Sequence, residues 1–387
     1  MTVEDKLVGT IRERGPVTFR EFMQTSLYDR EAGYYNTDPE KIGPRGDYYT
    51  SSSVHSAFGA VLANCFVKLW RGMSDRGNTA TPLFKLVEIG GGTGQLARDV
   101  IDTIGSEYPD EYDLLQYTIV EISPKMRALQ RQRLSEFGSR VRWTDLDAIG
   151  DEAGGQFSGI VFSNELIDAF PVHVIRRRNQ HLEELYVAVR SPDQSCAPVQ
   201  GETDAARTPS TRLVFDWAPL STQRITDYIS QFVPPIQDEQ RIEVNLAAID
   251  LLDKISAKLK NGFLVTIDYG DLAEHLYGYD RNMGTLRAFR KHTIAPSMLD
   301  RPGEQDITAS VNFSALIKYG ESIGFETISY ERQSAFLISN GLIERIAAKM
   351  SSEAVCNASL KERLALKNLF VPGGASDNFR VLIQRRI

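Results

Sequence analysis

The chain has 387 residues, 42% of them hydrophobic, with a formal net charge of −7 and an isoelectric point near 5.5. This length can bury one large core and a smaller subdomain, and the acidic balance argues against a nucleic-acid partner held by bulk electrostatics. No apolar run approaches the roughly 20 residues of a membrane span, and three widely spaced cysteines predict neither disulfides nor a zinc site. The N-terminus has no apolar segment of the kind found in signal peptides, so we expect a cytoplasmic protein, with the mitochondrial matrix as the alternative.

The first 78 residues predict a helical cap around a polar, aromatic loop. Apolar residues at helical spacing predict helices over 3–14, 18–26 and 55–70. The loop before the third helix contains Gly46 and Asp47 among tyrosines and serines. Periodicity alone predicts an exposed turn there, whereas the aromatic faces and hydroxyl groups suit a loop that folds over a ligand.

The most informative segment is a buried strand, 84–89, that runs into a glycine turn and then into a helix from Gln95 to about Ile104. The glycines of the turn are Gly90, Gly91, Gly92 and Gly94, and the acid before them is Glu88. Glycines remove Cβ atoms where a ligand lies against the backbone, and they permit positive φ. A strand, a turn and a helix in this order form the ligand-binding corner of a Rossmann-like unit.

The spacing of the glycines indicates which ligand binds. A dinucleotide fingerprint, G-x-G-x-x-G, would have its third glycine at position 95, which is Gln95. A second strand, 117–121, ends in Glu121, whose carboxylate can accept both hydroxyls of a ribose. A carboxylate placed to bind ribose, together with the absence of the third glycine, favours a nucleoside ligand that lacks pyrophosphate. The pattern resembles the S-adenosylmethionine site of class I methyltransferases.

From residue 83 onward, strands and helices alternate, which predicts a parallel sheet. Further strands are expected over 141–143, 158–163, 262–268, 327–332 and 378–384, with a hairpin over 172–177 and 182–189 and helices from Ser123–Pro124, over 242–259 and over 311–323. The predicted fold is therefore α/β, a Rossmann-like sheet of seven mostly parallel strands with added helical subdomains. We expect a helical cap with an active-site loop (1–78), a cofactor-binding half (79–190), a mobile loop (191–210), and the rest of the sheet with an inserted helical subdomain (211–387).

The fourth predicted strand, 158–163, runs into Asn164, Glu165 and Asp168, which we predict to be catalytic. The carboxyl end of this strand lies beside the cofactor corner, and methyl transfer needs its reactants aligned within about 3–3.5 Å. Asp168 alone could equally cap a short helix, and Asp306 or Thr308 is expected to cap the helix that begins near 311. The five histidines lack metal-ligand spacing, so no metal is expected.

As a set, the motifs of the chain resemble those of the MidA family, which includes the mitochondrial complex I assembly methyltransferases and many bacterial relatives. The matching segments are Gly33–Tyr34–Tyr35, Gly46–Asp47–Tyr48, Phe58–Gly59, Val87 to Gly94, Asn164–Glu165 with Asp168–Ala169 and Pro171–Val172, Asp268–Tyr269–Gly270, Gly284–Thr285–Leu286, and Asp306–Ile307–Thr308 with Asn312–Phe313. They span almost the whole chain. The resemblance implies a methyltransferase core roofed by extra subdomains, S-adenosylmethionine as cofactor, and protein arginine methylation, which the mitochondrial members perform on a complex I subunit.

The chain departs from this family pattern at two places. Ser51 to His55 replace a usual proline and glutamate after the G-D-[FY]-x-T element, and Asn312 replaces a usual aspartate. Both changes leave the cofactor site intact and concern the acceptor, because a guanidinium requires acidic partners.

The leading hypothesis is therefore methyl transfer from S-adenosylmethionine. The cofactor would be bound by Tyr35, Gly46, Glu88, the glycine turn, Glu121, Ile122, Asp145 near the adenine, and Asn164. Asn164, Glu165, Asp168 and Asp47 would carry the chemistry, with Glu165 and Asp168 orienting the guanidinium if the acceptor is arginine. A small-molecule O- or N-methyltransferase with His55 or His292 as base, a non-catalytic assembly factor that binds the cofactor, and an NAD-dependent enzyme are the alternatives. We expect a methyl acceptor but no nucleic acid or membrane as partner. Whether the protein forms a homodimer is left open.

Overall fold

The structure is a computed structural model, and it describes residues 1–37, 56–74, 83–150, 155–190, 212–290, 293–350 and 378–386. Predictions that involve Gly46, Asp47, His55, His292 or the segment 191–210 lie outside the described residues.

The helices and strands of the described residues are numbered in chain order. The helices are α1 Val3–Arg14, α2 Phe19–Tyr28, α3 Tyr34–Thr37, α4 Ala57–Ser74, α5 Gln95–Glu107, α6 Pro109–Leu114, α7 Pro124–Arg133, α8 Gln223–Phe232, α9 Leu246–Lys258, α10 Ala273–Leu276, α11 Phe313–Ser322, α12 Gln333–Ser339 and α13 Leu342–Met350. The strands are β1 Val17–Thr18, β2 Phe84–Ile89, β3 Leu115–Val120, β4 Val141–Thr144, β5 Phe157–Asn164, β6 His173–Arg178, β7 His181–Val189, β8 Leu213–Ala218, β9 Arg241–Val244, β10 Leu259–Asp271, β11 Arg287–Arg290, β12 Thr293–Ile294, β13 Asp306–Thr308, β14 Val311–Asn312, β15 Phe325–Arg332 and β16 Phe379–Arg386.

The main sheet has the strand order β15-β16-β10-β5-β2-β3-β4, with the short β14 beside β10. The pairings from β10 to β4 are parallel, whereas β16 runs antiparallel to both of its neighbours. These pairings confirm the Rossmann-like sheet of seven mostly parallel strands with an antiparallel edge, to which β14 adds an eighth strand.

The direction of strand succession reverses between β2 and β5, because β3 and β4 lie on one side of β2 while β5 and β10 lie on the other. At such a reversal a crevice opens at the carboxyl ends of the strands, where ligands bind in open α/β sheets. Both faces of the sheet are buried: α4 and α5 cover one face through residues such as Phe66 and Val100, and α9 and α11 cover the other through Leu252 and Leu316.

The added regions contain two antiparallel sheets as well as helices. The predicted hairpin is present as β6 and β7, but it belongs to a second sheet with the order β1-β7-β6-β9, in which β8 also pairs with β7. A third small sheet consists of β12, β11 and β13. Helices α1 and α2 pack on the second sheet through apolar residues that include Phe22, Val174 and Val187, so these two helices and this sheet share one core.

The predicted helix over 242–259 is wrong at its start. Residues 241–244 form β9, which pairs with β6, and Asn245 caps the following helix by accepting a hydrogen bond from Ala248 N at 3.0 Å. The predicted cap of the later helix is wrong for a similar reason, since Asp306 and Thr308 lie in β13. The cap of α11 is Asn312, whose Oδ1 accepts from Ala315 N at 3.2 Å.

Asn312 has a second contact that explains an amide at this position. Its Nδ2 donates to the carbonyl of Phe232 at 3.3 Å, a bond that an ionised aspartate could not donate. The departure from the family pattern at Asn312 is thus part of the packing between α8 and α11. Within the described residues, no helix is long and apolar enough to cross a membrane.

Candidate active site

A cavity of about 490 Å³ opens at the carboxyl ends of β2, β3 and β5, which is the crevice expected from the strand order. Its walls come from the glycine turn, the residues after β3 and β5, the helices α2 and α3, and one side of α9. Of the predicted site residues, those that line it are Tyr35, Gly90, Gly92, Glu121, Ile122 and Glu165.

The glycine turn brings backbone to the wall of this cavity. Gly90, Gly92 and Gly94 have φ of 76°, 49° and 76°, in the left-handed region that favours glycine. A Cβ on Gly90 would lie 2.7 Å from Leu166 Cδ1, and one on Gly91 would lie 2.9 Å from Ile119 Cγ2. A Cβ on Gly92 would meet nothing within 4 Å. Gly92 therefore faces open space at the cavity, while Gly91 and Gly94 allow the turn to pack against the residues behind it.

Glu121 presents a buried carboxylate to the cavity. Its Oε1 accepts from Ser123 N at 2.9 Å and its Oε2 accepts from Gln130 Nε2 at 3.1 Å. Burial raises the pKa of Glu121, and these two hydrogen bonds oppose that rise. The neighbouring Ile122 lines the same cavity and is 73% exposed, an apolar surface available to a flat ligand.

Glu88 lies beneath the turn and does not line the cavity. Its Oε2 accepts from the hydroxyl of Tyr117 at 2.9 Å, and burial raises the pKa of Glu88 to about 7. A Cβ on Gly91 would lie 3.4 Å from Glu88 Oε2. Glu88 thus supports the turn from below, and direct contact with a cofactor remains a prediction.

We expect Glu88→Gln to change the pH dependence of stability. A buried acid whose folded pKa of about 7 exceeds the ordinary 4.5 stabilises the fold fully below pH 4.5 and loses that contribution as the pH rises through 7. Gln stays neutral, so the unfolding free energy of the variant relative to wild type should rise by roughly 2–3 kcal/mol between pH 5 and pH 8. Urea titrations at both pH values measure this, with the exposed Glu13→Gln as control. If the unfolding free energy of Glu88→Gln differed from that of wild type by the same amount at both pH values, the raised pKa of Glu88 would be contradicted.

Asp145, which we predict to approach the adenine, follows β4 directly and does not line the cavity. It forms an ion pair with Arg127 and is largely exposed, whereas its neighbour Leu146 lines the cavity. Arg127 also donates to the backbone carbonyl of Thr144 at 3.1 Å. The pair fixes the segment that carries Leu146, and contact of Asp145 with a ligand stays a prediction.

Two tyrosines of the N-terminal cap cover the cavity. The Tyr28 hydroxyl donates to the carbonyl of Ala169 at 2.9 Å, and the Tyr35 hydroxyl donates to Asp306 Oδ1 at 2.7 Å. Their rings lie 5.5 Å apart between centroids, and both side chains line the cavity. Ser123 ties this cap to the cofactor side, because its hydroxyl donates to the Tyr35 carbonyl at 3.3 Å. The cap therefore bridges the ends of β3 and β5.

At the end of β5, Glu165 reaches the cavity wall from a strained backbone. Its φ is 52°, a left-handed conformation uncommon for a residue with a side chain and often found at functional sites. Asn164 Nδ2 donates to Glu165 Oε1 at 3.2 Å, while the Oδ1 of Asn164 is buried without a hydrogen-bond partner. Asn164 itself does not line the cavity, so it orients Glu165 from behind.

Asp268, which was not among the predicted site residues, holds the turn that follows Glu165. Its Oδ2 accepts from the backbone N–H groups of Leu166 at 3.2 Å, Ile167 at 2.8 Å and Asp168 at 3.4 Å. Burial raises its pKa to about 7. The sequence signal for this role was an acid at the carboxyl end of the predicted strand 262–268. In the structure this strand is part of β10, which pairs with β5.

Three buried carboxylates, Asp168, Asp268 and Asp306, lie behind Glu165 and the two tyrosines. The pKa of Asp168 is raised well above its usual range, chiefly by burial and next by the negative charges of Asp268 and Asp306. The Oδ1 of Asp168 has no hydrogen-bond partner. Among described residues, no Lys, Arg or His forms an ion pair with Asp168 or Asp268, and no group of side chains could hold a metal.

We call these four acids, Glu165, Asp168, Asp268 and Asp306, the acidic cluster. Only Glu165 of the four lines the cavity. The part of the cavity formed by the glycine turn and the end of β3 has the features of a nucleoside site: open backbone at Gly92, the carboxylate of Glu121 and the exposed face of Ile122. The residues present therefore fit S-adenosylmethionine in this part of the cavity and a cationic group at Glu165.

Comparisons with known proteins agree with this geometry. The sequence model of the Methyltransf_28 family, described as S-adenosyl-L-methionine-dependent methyltransferases, matches residues 61–331. A crystal structure of a COG1565 superfamily member from Burkholderia thailandensis bound to S-adenosyl-homocysteine is 25% identical, with a TM-score of 0.83 over 99% of this chain and 92% of that chain.

Curated relatives carry protein arginine methyltransferase names. The mitochondrial NDUFAF7 homolog of Drosophila melanogaster is 26% identical over 82% of this chain and 70% of its own length. Mitochondrial NDUFAF7 of Rattus norvegicus is 26% identical over 92% of this chain and 78% of its own length. These names place the relatives in mitochondria, which agrees with the alternative compartment and gives no support to the cytoplasmic expectation.

Proposed function

This chain belongs to the Methyltransf_28 family of S-adenosyl-L-methionine-dependent methyltransferases, and we propose that its methyl acceptor is an arginine side chain of a protein. S-adenosylmethionine, when bound, supplies a methyl group on a positively charged sulfur. The glycine turn and Glu121 would hold the nucleoside, and Ile122 would pack on it. Asp47 and Gly46, which the sequence also predicts for the site, lie outside the described residues.

The observation that carries the proposal is the acidic cluster. Carboxylates gathered in a buried place repel one another, and their charged forms are costly unless a cation joins them. The described residues supply no such cation to Asp168 or Asp268, and Asp168 Oδ1 has no partner. A guanidinium has five N–H donors in a planar fork that matches carboxylate geometry, so it would pair with Glu165 at the cavity wall, while the negative field of the acids behind Glu165 would favour its positive charge.

The cluster also suits the proton that arginine must lose. A protonated guanidinium is a poor nucleophile, so methylation requires a nearby base once the acceptor is aligned. Glu165 would accept hydrogen bonds from the guanidinium at the cavity wall, and Asp168, whose pKa is raised, would help to orient it. Tyr28 and Tyr35 would exclude water from above, since both line the cavity and are fixed by hydrogen bonds. The names of the mitochondrial relatives support the same acceptor.

We expect the enzyme to turn over with arginine peptides but not with citrulline peptides. Citrulline has nearly the shape of arginine but carries no positive charge, so the acidic cluster would not bind it. Formation of S-adenosyl-homocysteine is measured with a degenerate peptide pool centred on arginine and with a matched citrulline pool. Equal rates with the two pools would contradict an arginine acceptor, and turnover only with a metabolite fraction would favour the small-molecule alternative. No turnover with any acceptor would favour the non-catalytic assembly factor.

A further inference from the structure

Gln130 connects three parts of the cofactor side of the cavity. It lies in α7 and is completely buried. Its Nε2 donates to the carbonyl of Gly92 at 2.8 Å and to Glu121 Oε2 at 3.1 Å. Its Oε1 accepts from the indole Nε1 of Trp143, in β4, at 2.9 Å. One amide thus contacts the glycine turn, the predicted ribose acid and the neighbouring strand.

These contacts fix which way the amide faces. An amide has two N–H donors on its nitrogen and only acceptors on its oxygen. If the amide were turned over, its oxygen would face the Glu121 carboxylate and the Gly92 carbonyl, while its nitrogen would face the indole donor. Trp143 therefore selects the orientation in which both N–H groups reach Gly92 and Glu121.

Gln130 packs closely against the glycine turn. A Cβ on Gly94 would lie 3.2 Å from Gln130 Cγ, and one on Gly91 would lie 3.2 Å from Gln130 Nε2. Both distances are shorter than about nine in ten real Cβ contacts, so a side chain at either glycine would press on Gln130. The glycines at these positions are thus needed for the approach of α7 as well as for the path of the turn.

We propose that Gln130 is a positioning residue for S-adenosylmethionine: oriented by Trp143, it holds the Glu121 carboxylate and the Gly92 carbonyl in place for the nucleoside. Gln130 does not line the cavity, so it acts through these two groups. The inference concerns only the cofactor side, and its test is independent of the methyl acceptor.

The test measures the affinity for S-adenosyl-homocysteine by isothermal titration. Gln130→Met keeps the size of the side chain and removes its donors, so Glu121 loses a charge-assisted hydrogen bond; we expect the Kd to rise at least about tenfold. Gln132→Met on the exposed side of the same helix is the matched control and should leave the Kd within about twofold. An unchanged Kd in folded Gln130→Met overturns the proposal.

A pH profile separates positioning from a general structural defect. The charged and titratable groups that influence Glu121 include Arg127 on α7, Glu88 on β2 and Tyr28 on α2. The Gln130 bond favours the ionised Glu121, so its removal should raise the pKa of Glu121 further. The pH at which affinity falls on acidification should therefore be higher in Gln130→Met than in wild type or in Gln132→Met. A lower affinity with an unshifted pH profile would contradict the positioning role.

Trp143→Phe provides the second variant if Gln130→Met does not fold. It removes the indole donor that orients the amide and leaves Gln130, Glu121 and the turn unchanged. We expect the Kd to rise about threefold to tenfold, with a thermal unfolding transition that remains cooperative. Wild-type affinity in folded Trp143→Phe would overturn the inference that the indole sets the amide orientation.

Discussion

Glu165→Gln should reduce arginine methylation at least about a thousandfold while the Kd for S-adenosyl-homocysteine stays within about threefold. Gln preserves the size of the side chain and can still accept from Asn164 Nδ2. It loses the charge that would pair with a guanidinium, and hydrogen bonds between charged partners are about twice as strong as neutral ones. Because we propose that Glu165 binds the methyl acceptor, the loss should fall on kcat/KM for the peptide and spare cofactor binding.

The measurement compares initial rates with the arginine peptide pool and titrations with S-adenosyl-homocysteine on the same preparation. Glu326→Gln, on the exposed side of β15, is the control and should retain wild-type rates. A Glu165→Gln enzyme with normal arginine kinetics would remove the acidic cluster from the acceptor site. A parallel loss of cofactor affinity would instead assign Glu165 to the nucleoside end.

Glu121→Ala should weaken binding of S-adenosyl-homocysteine at least about a hundredfold. Glu121 is the carboxylate that faces the cavity beside the glycine turn, and it is already oriented by Ser123 N and Gln130. Accepting two ribose hydroxyls would add two charge-assisted hydrogen bonds, each of which contributes roughly 1.5–3 kcal/mol when unscreened. Truncation to Ala removes both bonds and leaves the N–H of Ser123 and the amide of Gln130 without their acceptor.

Isothermal titration with S-adenosyl-homocysteine and with NAD, on wild type and Glu121→Ala, measures this effect. We expect micromolar binding of S-adenosyl-homocysteine to wild type and no detectable binding of NAD. Glu13→Ala on α1 controls for the loss of one surface charge. Unchanged affinity in Glu121→Ala would show that the ribose is bound by another group.

The sequence was most informative where short-range chemistry determines the structure. A strand, four glycines and a following helix require little long-range information, and the turn has the positive φ values that its glycines predict. The same holds for the Ser123 cap of α7, whose Oγ accepts from Met126 N. The parallel direction of the central strands followed from the alternation of strands and helices, since parallel strands need crossovers, whereas the strand order was seen only in the structure.

The contacts missed by sequence reasoning are between residues far apart in the chain. Tyr35 and Asp306 are separated by 271 positions, and Asp268 bonds the turn about 100 positions before it. No local period reports such pairs. Gln130 was recognisable in one respect: it lies between Met126 and Leu134 at four-residue spacing, so it is a polar residue on the buried face of its helix. A satisfied amide at such a position is a signal of an internal network.

Tandem mass spectrometry of a labelled cell extract determines whether this methyltransferase modifies protein arginine, as we propose. The purified enzyme is incubated with S-adenosylmethionine labelled in its methyl group and with the protein and metabolite fractions of a cell extract. We predict label on the guanidino nitrogens of arginine in one or a few proteins, lost with Glu165→Gln. Label confined to small molecules, or to protein side chains other than arginine, would contradict the proposed arginine acceptor.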